Sequence, residues 1–300
     1  MRWLRSLIAG NVTAAVGFTM MLGIVLAAIL APILAPSHLD ERVGERFGPP
    51  SAAHPLGLDD AGQDVLTLLL YSTRVSLIVG FGATFLAVAL GGLVGIVAGY
   101  SGRRTEGILM RFTDFFLVIP EVPLMMIIAA VWGAGVWKMV VVIGVILWTW
   151  TARVIRAQTK SIKERVYVKR TRSLGASHWH TVTRHVLPQL APLLVVSAVL
   201  AFAVAVFDET ALSFLGLGDP SKPSLGRMIA LASSSGAVSN QAWWAIFYPG
   251  LVVTVIILSL TMMGTALEDV LNPRLRVSHL SRRHFRVLPS PRPLRAMDRS

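Results

Sequence analysis

The sequence predicts an all-α, polytopic membrane protein with six transmembrane helices. Three observations point there. Hydrophobic residues make up 54% of the 300-residue chain and charged residues only 15%, against roughly a quarter charged in soluble domains. Apolar runs of spanning length recur along the sequence. The cations between those runs are unevenly placed. Lipid offers no partner to backbone N–H and C=O groups, so each crossing run must be helical.

The first run is Val12 to Ala35. Arg2 and Arg5 give it a charged start, as in a signal peptide. However, the run exceeds the roughly 7–15 apolar residues of a signal core, and Pro32 and Pro36 crowd the cleavage region. A retained helix within 1–36 is expected. The second run is Val75 to Tyr100 and the third Phe115 to Trp132. The fourth, Met139 to Thr151, is short, but "VVVIGVILWTWTARVI" extends it to Ile155. The fifth is Leu187 to Val206 and the sixth Trp244 to Thr265. A spanning helix needs about 20 predominantly apolar residues.

Orientation follows from the cations. With both termini inside, 22 of the 28 Lys and Arg fall on the inner side. The outer six are Arg42, Arg46, Arg74, Lys138, Lys222 and Arg227. This is the positive-inside pattern. The net charge of +12 is therefore a topology signal, and nucleic acid is not an expected partner. Segment 37–74 is then outside and acidic, with Asp40, Glu41, Glu45, Asp59, Asp60 and Asp64. Loop 208–243, also outside, carries turn signals and a short amphipathic helix at Leu225 to Ser233. The core is 75–272. The basic tail 273–300 is rich in Arg, Ser and Pro from Val277 and is expected to be disordered or to lie on the anionic inner leaflet.

Several functions are excluded. The chain has no cysteine, so disulfides, thiolate metal sites and cysteine nucleophiles are impossible. It holds no Gly-x-x-x-x-Gly-Lys-Ser/Thr loop, so it cannot cradle ATP in that way. His178 and His180, two apart, do not share a helix face, and no metal site is expected. The Met125-Met126 and Met262-Met263 pairs read as adaptable packing. Gly91, Gly95 and Gly99, four apart, read as a surface for close helix approach.

Three carboxylates are candidates for a translocation path. Glu121 falls inside the third run, where ionisable groups are costly and by default functional. The bland alternative places it at a helix break between Pro120 and Pro123, facing water. Asp208 and Glu209 are expected to end the fifth helix at the translocation mouth, or simply to terminate it. Asp114 is expected to be solvated or paired with Arg111.

The longest inner segment, Arg153 to Arg184, interrupts the apolar pattern. Charge alone would make it a topology anchor. Its pattern adds more. Gly175 permits a bend where a helix stops. "ASHWHTVTRHV" can form a short helix along the membrane surface, near 175–186, with Trp179 and Val182 on one face. Leu187-Pro188 is expected to end it, Pro being well suited to the first turn of the next helix.

"LGASHWHTVTRHVLP" resembles the cytoplasmic signature of permease subunits of bacterial binding-protein-dependent ABC importers. Gly175, His185, Val186, Leu187 and Pro188 carry the match. Four further stretches resemble the dipeptide, oligopeptide and nickel permeases, in the same order: His54 to Leu77, Leu109 to Pro120, Glu209 to Gly218, and Leu267 to Arg276. Together they are similar to the C-type inner-membrane permease of a heteromeric pair. The resemblance implies the type I ABC importer permease fold and one half of a pathway for di- or oligopeptides. It implies a second permease subunit, two ATPase subunits that bind ATP and Mg, and an extracytoplasmic substrate-binding protein. This chain would then have no cofactor and no enzyme activity of its own. The coupling helix that docks on an ATPase would be built from Gly175, Ala176, Ser177, His178, Trp179, His180, Val182, Arg184, His185, Val186, Leu187 and Pro188. The sequence departs from the family where Lys169-Arg170-Thr171 replaces a small-residue triplet. Nickel import and, from another class, proton-coupled secondary transport are the alternatives.

Overall fold

The computed structural model describes residues 12–39 and 41–271. Arg2, Arg5, Asp40 and the basic tail 273–300 lie outside the described residues. Among the described residues, all continuous regular structure is helical. The helices are α1 (Val12–Ile29), α2 (Ala31–Leu34), α3 (Val65–Tyr100), α4 (Arg103–Val118), α5 (Glu121–Trp132) and α6 (Val136–Lys163). They continue with α7 (Val166–Ser173), α8 (His178–Thr181), α9 (Leu187–Phe214), α10 (Leu225–Ser234) and α11 (Trp244–Leu271). A π turn, Val182–Val186, joins α8 to α9.

Helices α1, α3, α6, α9 and α11 are long and apolar enough to cross a membrane. The sixth candidate crossing is not a straight helix. Helices α4 and α5 meet at 86°. Pro120 lacks a backbone N–H, and it holds Ile119 in an extended conformation (φ −81°, ψ 129°). Pro123 falls in the first turn of α5, where its missing N–H costs little. The apolar run Phe115 to Trp132 thus conceals a sharp corner.

Other boundaries also differ from the hydropathy pattern. The first run is divided at Leu30, with Pro32 opening α2. Helix α3 starts at Val65 rather than Val75, because Asp64 caps it: Oδ1 accepts from the Thr67 N–H at 2.8 Å. Such a cap stabilises a helix by about 1 kcal/mol. The 36 residues of α3 span about 54 Å, beyond the ~30 Å hydrocarbon core. Its first turns, with Val65, Thr67 and Leu68, are buried by protein. Helix α6 runs on through its cations to Lys163, and α9 continues past Val206 to Phe214.

The pairing of α3 with α6 is the most extensive in the molecule. The two run parallel, and the glycine series makes their contact. A Cβ on Gly91, Gly95 or Gly99 would lie 2.5, 2.7 and 2.7 Å from the carbonyl oxygens of Trp148, Ala152 and Arg156. Gly144 approaches the Ala83 carbonyl in the same way. Helix α9 runs antiparallel to α3, with Phe202 and Val206 filling the space over Gly80. Helix α11 covers α9, and α1 covers α11, where Gly17 seats against Ser259 and Met262.

Antiparallel packing sorts the molecule into two poles. The acidic pole gathers segment 41–64 and the loop after α9. These are tied together: Trp244 Nε1 donates to the Leu58 carbonyl at 3.1 Å, and Ser235 Oγ to Asp60 at 2.7 Å. The short helix expected at Leu225 to Ser233 is α10, wedged between α9 and α11. The opposite pole holds the ends of α3 and α6, the start of α4, and all of α7 and α8, with most of the described cations.

Candidate functional site

At the basic pole the chain leaves α6 through Glu164 and Arg165 and forms α7, which carries Lys169, Arg170 and Thr171. Lys169 Nζ pairs with Glu164 at 2.7 Å, both exposed. Val168 anchors the helix in an apolar cluster with Ile155, Ile162, Val186 and Leu190. The helix ends in a Schellman motif. The Gly175 N–H donates to the Arg172 carbonyl, and the Ala176 N–H reaches back to Thr171. Gly175 has φ +90°. A Cβ there would meet nothing within 4 Å. The glycine is required by backbone conformation, not by crowding.

Ser177 restarts the helix, its Oγ accepting from the His180 N–H at 3.2 Å. Leu187-Pro188 does not end this helix, contrary to the sequence expectation. The π turn carries it directly into α9, with the Leu187 N–H bonded to the Val182 carbonyl. Pro188 has no N–H for the regular bond to Arg184, and widening the turn accommodates that loss. The segment from His178 is therefore a continuous extension of α9. His178, Trp179, His180 and Arg184 are exposed on it, while Val186 is buried against the core. Trp179 and Val182 do share a surface: with Ile96, Val97 and Leu187 they line an apolar groove of about 910 Å³ between α3 and α9. His185 faces Tyr167 and His180 at ring separations of 6.4 and 6.0 Å.

A tie missing from the sequence reading joins this segment to α3. The Tyr100 ring meets His178 edge-on at 5.6 Å. Arg172 donates to the Tyr100 hydroxyl at 3.3 Å and also contacts His178. Lys163 donates to the Tyr100 carbonyl at 2.7 Å. The one signal in the sequence was a tyrosine closing an apolar run.

The carboxylates lie toward the other pole. Asp208 and Glu209 do not end α9. They sit more than a turn inside it, both buried. Glu209 faces α3, its Oε2 accepting from Ser76 Oγ at 2.6 Å and its Oε1 from Ser213 Oγ at 2.8 Å. Asp208 is 2% exposed, and its Oδ2 has no hydrogen-bond partner. Glu121 opens α5 at the helix break and is exposed on the protein. The two neighbouring carboxylates of α9 thus differ: Glu209 is held by Ser76 and Ser213, and Asp208 is buried with Oδ2 unpaired. Asp114 pairs with Arg153 at 2.6 Å, not with Arg111.

The described residues thus form a helical membrane protein with an exposed segment continuous with α9 at one pole and buried carboxylates toward the other. The chain belongs to the family described as the binding-protein-dependent transport system inner membrane component, which it matches over residues 91–277. Among its relatives, a protein of Brucella ovis named a putative peptide permease is 36% identical over 226 residues, 75% of this chain and 74% of the relative. A Brucella suis protein named a putative peptide transport system permease is 36% identical over 233 residues, 77% of each. The oligopeptide transport system permease protein OppC of Lactococcus lactis is 33% identical over 230 residues, 75% of this chain and 77% of the relative.

Proposed function

We propose that this chain is one permease subunit of an ATP-driven importer of di- or oligopeptides and forms half of its translocation pathway. The observation that carries the mechanism is the unbroken helical path from His178 through the π turn into α9. A push on Trp179 or Arg184 moves α9 as a body, and with it Asp208 and Glu209. Tyr100 transmits the same displacement to α3. Two ATPase subunits, binding ATP and Mg, supply the push at residues Gly175 to Pro188. A second permease subunit completes the path, and an external binding protein delivers the peptide. Rigid-body rocking of the helices then exposes the path alternately to each side. The basic pole is cytoplasmic, in keeping with the cation bias.

The names of the relatives favour a peptide over nickel as the cargo. A proton-driven mechanism would need a relay of intramembrane ionisable groups. In this structure Glu209 is engaged by the hydroxyls of Ser76 and Ser213, and no hydrogen bond links it to Asp208 or Glu121 among the described residues. The test is uptake of labelled di- and tripeptides by proteoliposomes holding the purified complex with its binding protein. ATP-dependent peptide uptake supports the reading. Uptake driven by a pH gradient without ATP, or of nickel but no peptide, overturns it.

A further inference from the structure

We propose that a cavity at the basic pole binds the headgroup of an anionic phospholipid from the cytoplasmic leaflet. Its placement in that leaflet rests on the orientation proposed above. The cavity, about 930 Å³, lies where α3 ends, α4 begins and α6 completes its last turns. Six cations line it: Arg103, Arg104, Arg111, Arg156, Lys160 and Lys163. Its two carboxylates are already engaged. Glu106 accepts from both Arg156 and Lys160, and Glu164 pairs with Lys169. Lys163 reaches neutral carbonyls of Tyr100 and Ser101. Among the described residues, Arg103, Arg104 and Arg111 have no ion pair. The cavity therefore holds uncompensated positive charge.

Geometry selects a ligand with two parts. Arg104, Gly107, Ile108 and Arg111 recur at three- and four-residue spacing and share one face of α4. A Cβ on Gly107 would meet nothing within 4 Å, so that face is open beside the arginines. Further along the helix the same side becomes apolar. Ile108, Phe112 and Phe115 are 70%, 56% and 63% exposed. Phe112 stacks on Trp148 of α6, deeper along α6 than Arg156 and Lys160. Cations thus sit at the pole with exposed apolar side chains deeper along α4. A phosphodiester matches the guanidinium groups, which bind phosphate oxygens in pairs. Acyl chains match the apolar stretch below. Inorganic phosphate would satisfy only the first, and an acidic protein surface would have no use for the second. Basic pockets between helices on the cytoplasmic side are known to take such headgroups.

The test uses the assembled transporter in detergent, titrated with phosphatidylglycerol or phosphatidylcholine, and counts retained lipid by native mass spectrometry. Wild-type protein should retain phosphatidylglycerol preferentially. Arg104→Gln with Arg111→Gln should weaken that retention about tenfold. Gly107→Leu keeps every charge but fills the open face and should weaken it similarly. If the double variant fails to assemble, Gly107→Leu decides. Equal retention of both lipids by wild type, or unchanged retention in Gly107→Leu, overturns the proposal. Displacement by millimolar inorganic phosphate would overturn it in favour of a small-anion site. Crosslinking of Arg104→Cys to an ATPase subunit, with no lipid retained, would overturn it in favour of a protein contact. None of these readouts depends on peptide transport, so this inference can fail without the proposed function failing.

Discussion

Gly175 shows how one residue can be required for its backbone alone. Its φ of +90° closes α7 and aims the chain into α8, yet its surroundings are empty. Forcing a β-branched residue into that conformation costs about 1–3 kcal/mol. Gly175→Val should therefore insert in the membrane normally but lose ATP-coupled uptake or release the ATPase. Asn tolerates positive φ, so Gly175→Asn should restore most of the uptake. Proteoliposome uptake and ATPase pull-down of the two variants check this. If Val and Asn behave alike, the argument from backbone conformation fails. The two adjacent carboxylates should also separate. Glu209 accepts two buried hydroxyls, so Glu209→Ala leaves Ser76 and Ser213 unpaired and opens a cavity, at a cost of about 2–4 kcal/mol. Asp208 Oδ2 has no partner to lose. Asp208→Asn should leave the melting temperature unchanged or raise it, while slowing uptake if the residue lines the path. Thermal unfolding in detergent, beside uptake, distinguishes them.

Among helices, the contact of α3 with α6 depends on three glycines set four residues apart. Each lets a carbonyl of α6 approach where a methyl group would collide. Gly95→Leu should separate the helices and destabilise the fold by about 1–3 kcal/mol or more. A change of the same size at Gly107 should leave stability intact, because that position faces open space. Comparing the two melting temperatures checks the distinction. Helix α9 gains its reach from the π turn. An ordinary break at Leu187-Pro188 would make the proposed coupling segment a hinged arm; the continuous backbone fits its proposed use as a lever.

For the molecule as a whole, the sorting of charge to two poles sets the topology. The native chain has no cysteine, so single introduced thiols report without background. Cysteines at Ser51, on the acidic pole, and Ser173, on the basic pole, should react with an impermeant reagent from opposite sides of the membrane. Labelling of both from one side would reverse the proposed orientation of one pole and remove the cytoplasmic setting of the coupling segment.

Hydropathy and turn chemistry are local, and what depended on them was legible without the fold. The helical class, the centres of the spans, the helix at Leu225 and the packing role of Gly91, Gly95 and Gly99 follow from spacing along the chain. Gly175 was legible for the same reason: a left-handed turn is a property of one residue. What was not legible depends on partners distant in sequence. The burial of Glu209 is decided by Ser76, on another helix. Asp114 finds Arg153 rather than its neighbour Arg111 because α4 lies along α6. Tyr100 meets His178 and Arg172 only because α7 and α8 fold back over the end of α3. A break between Pro120 and Pro123 was legible as one alternative, but its 86° angle was not, because average hydropathy carries no information about direction. Periodicity tells which stretches must be buried or spanning. Only packing tells which groups meet there, since a pair of side chains exists as a pair only after both helices have found their places.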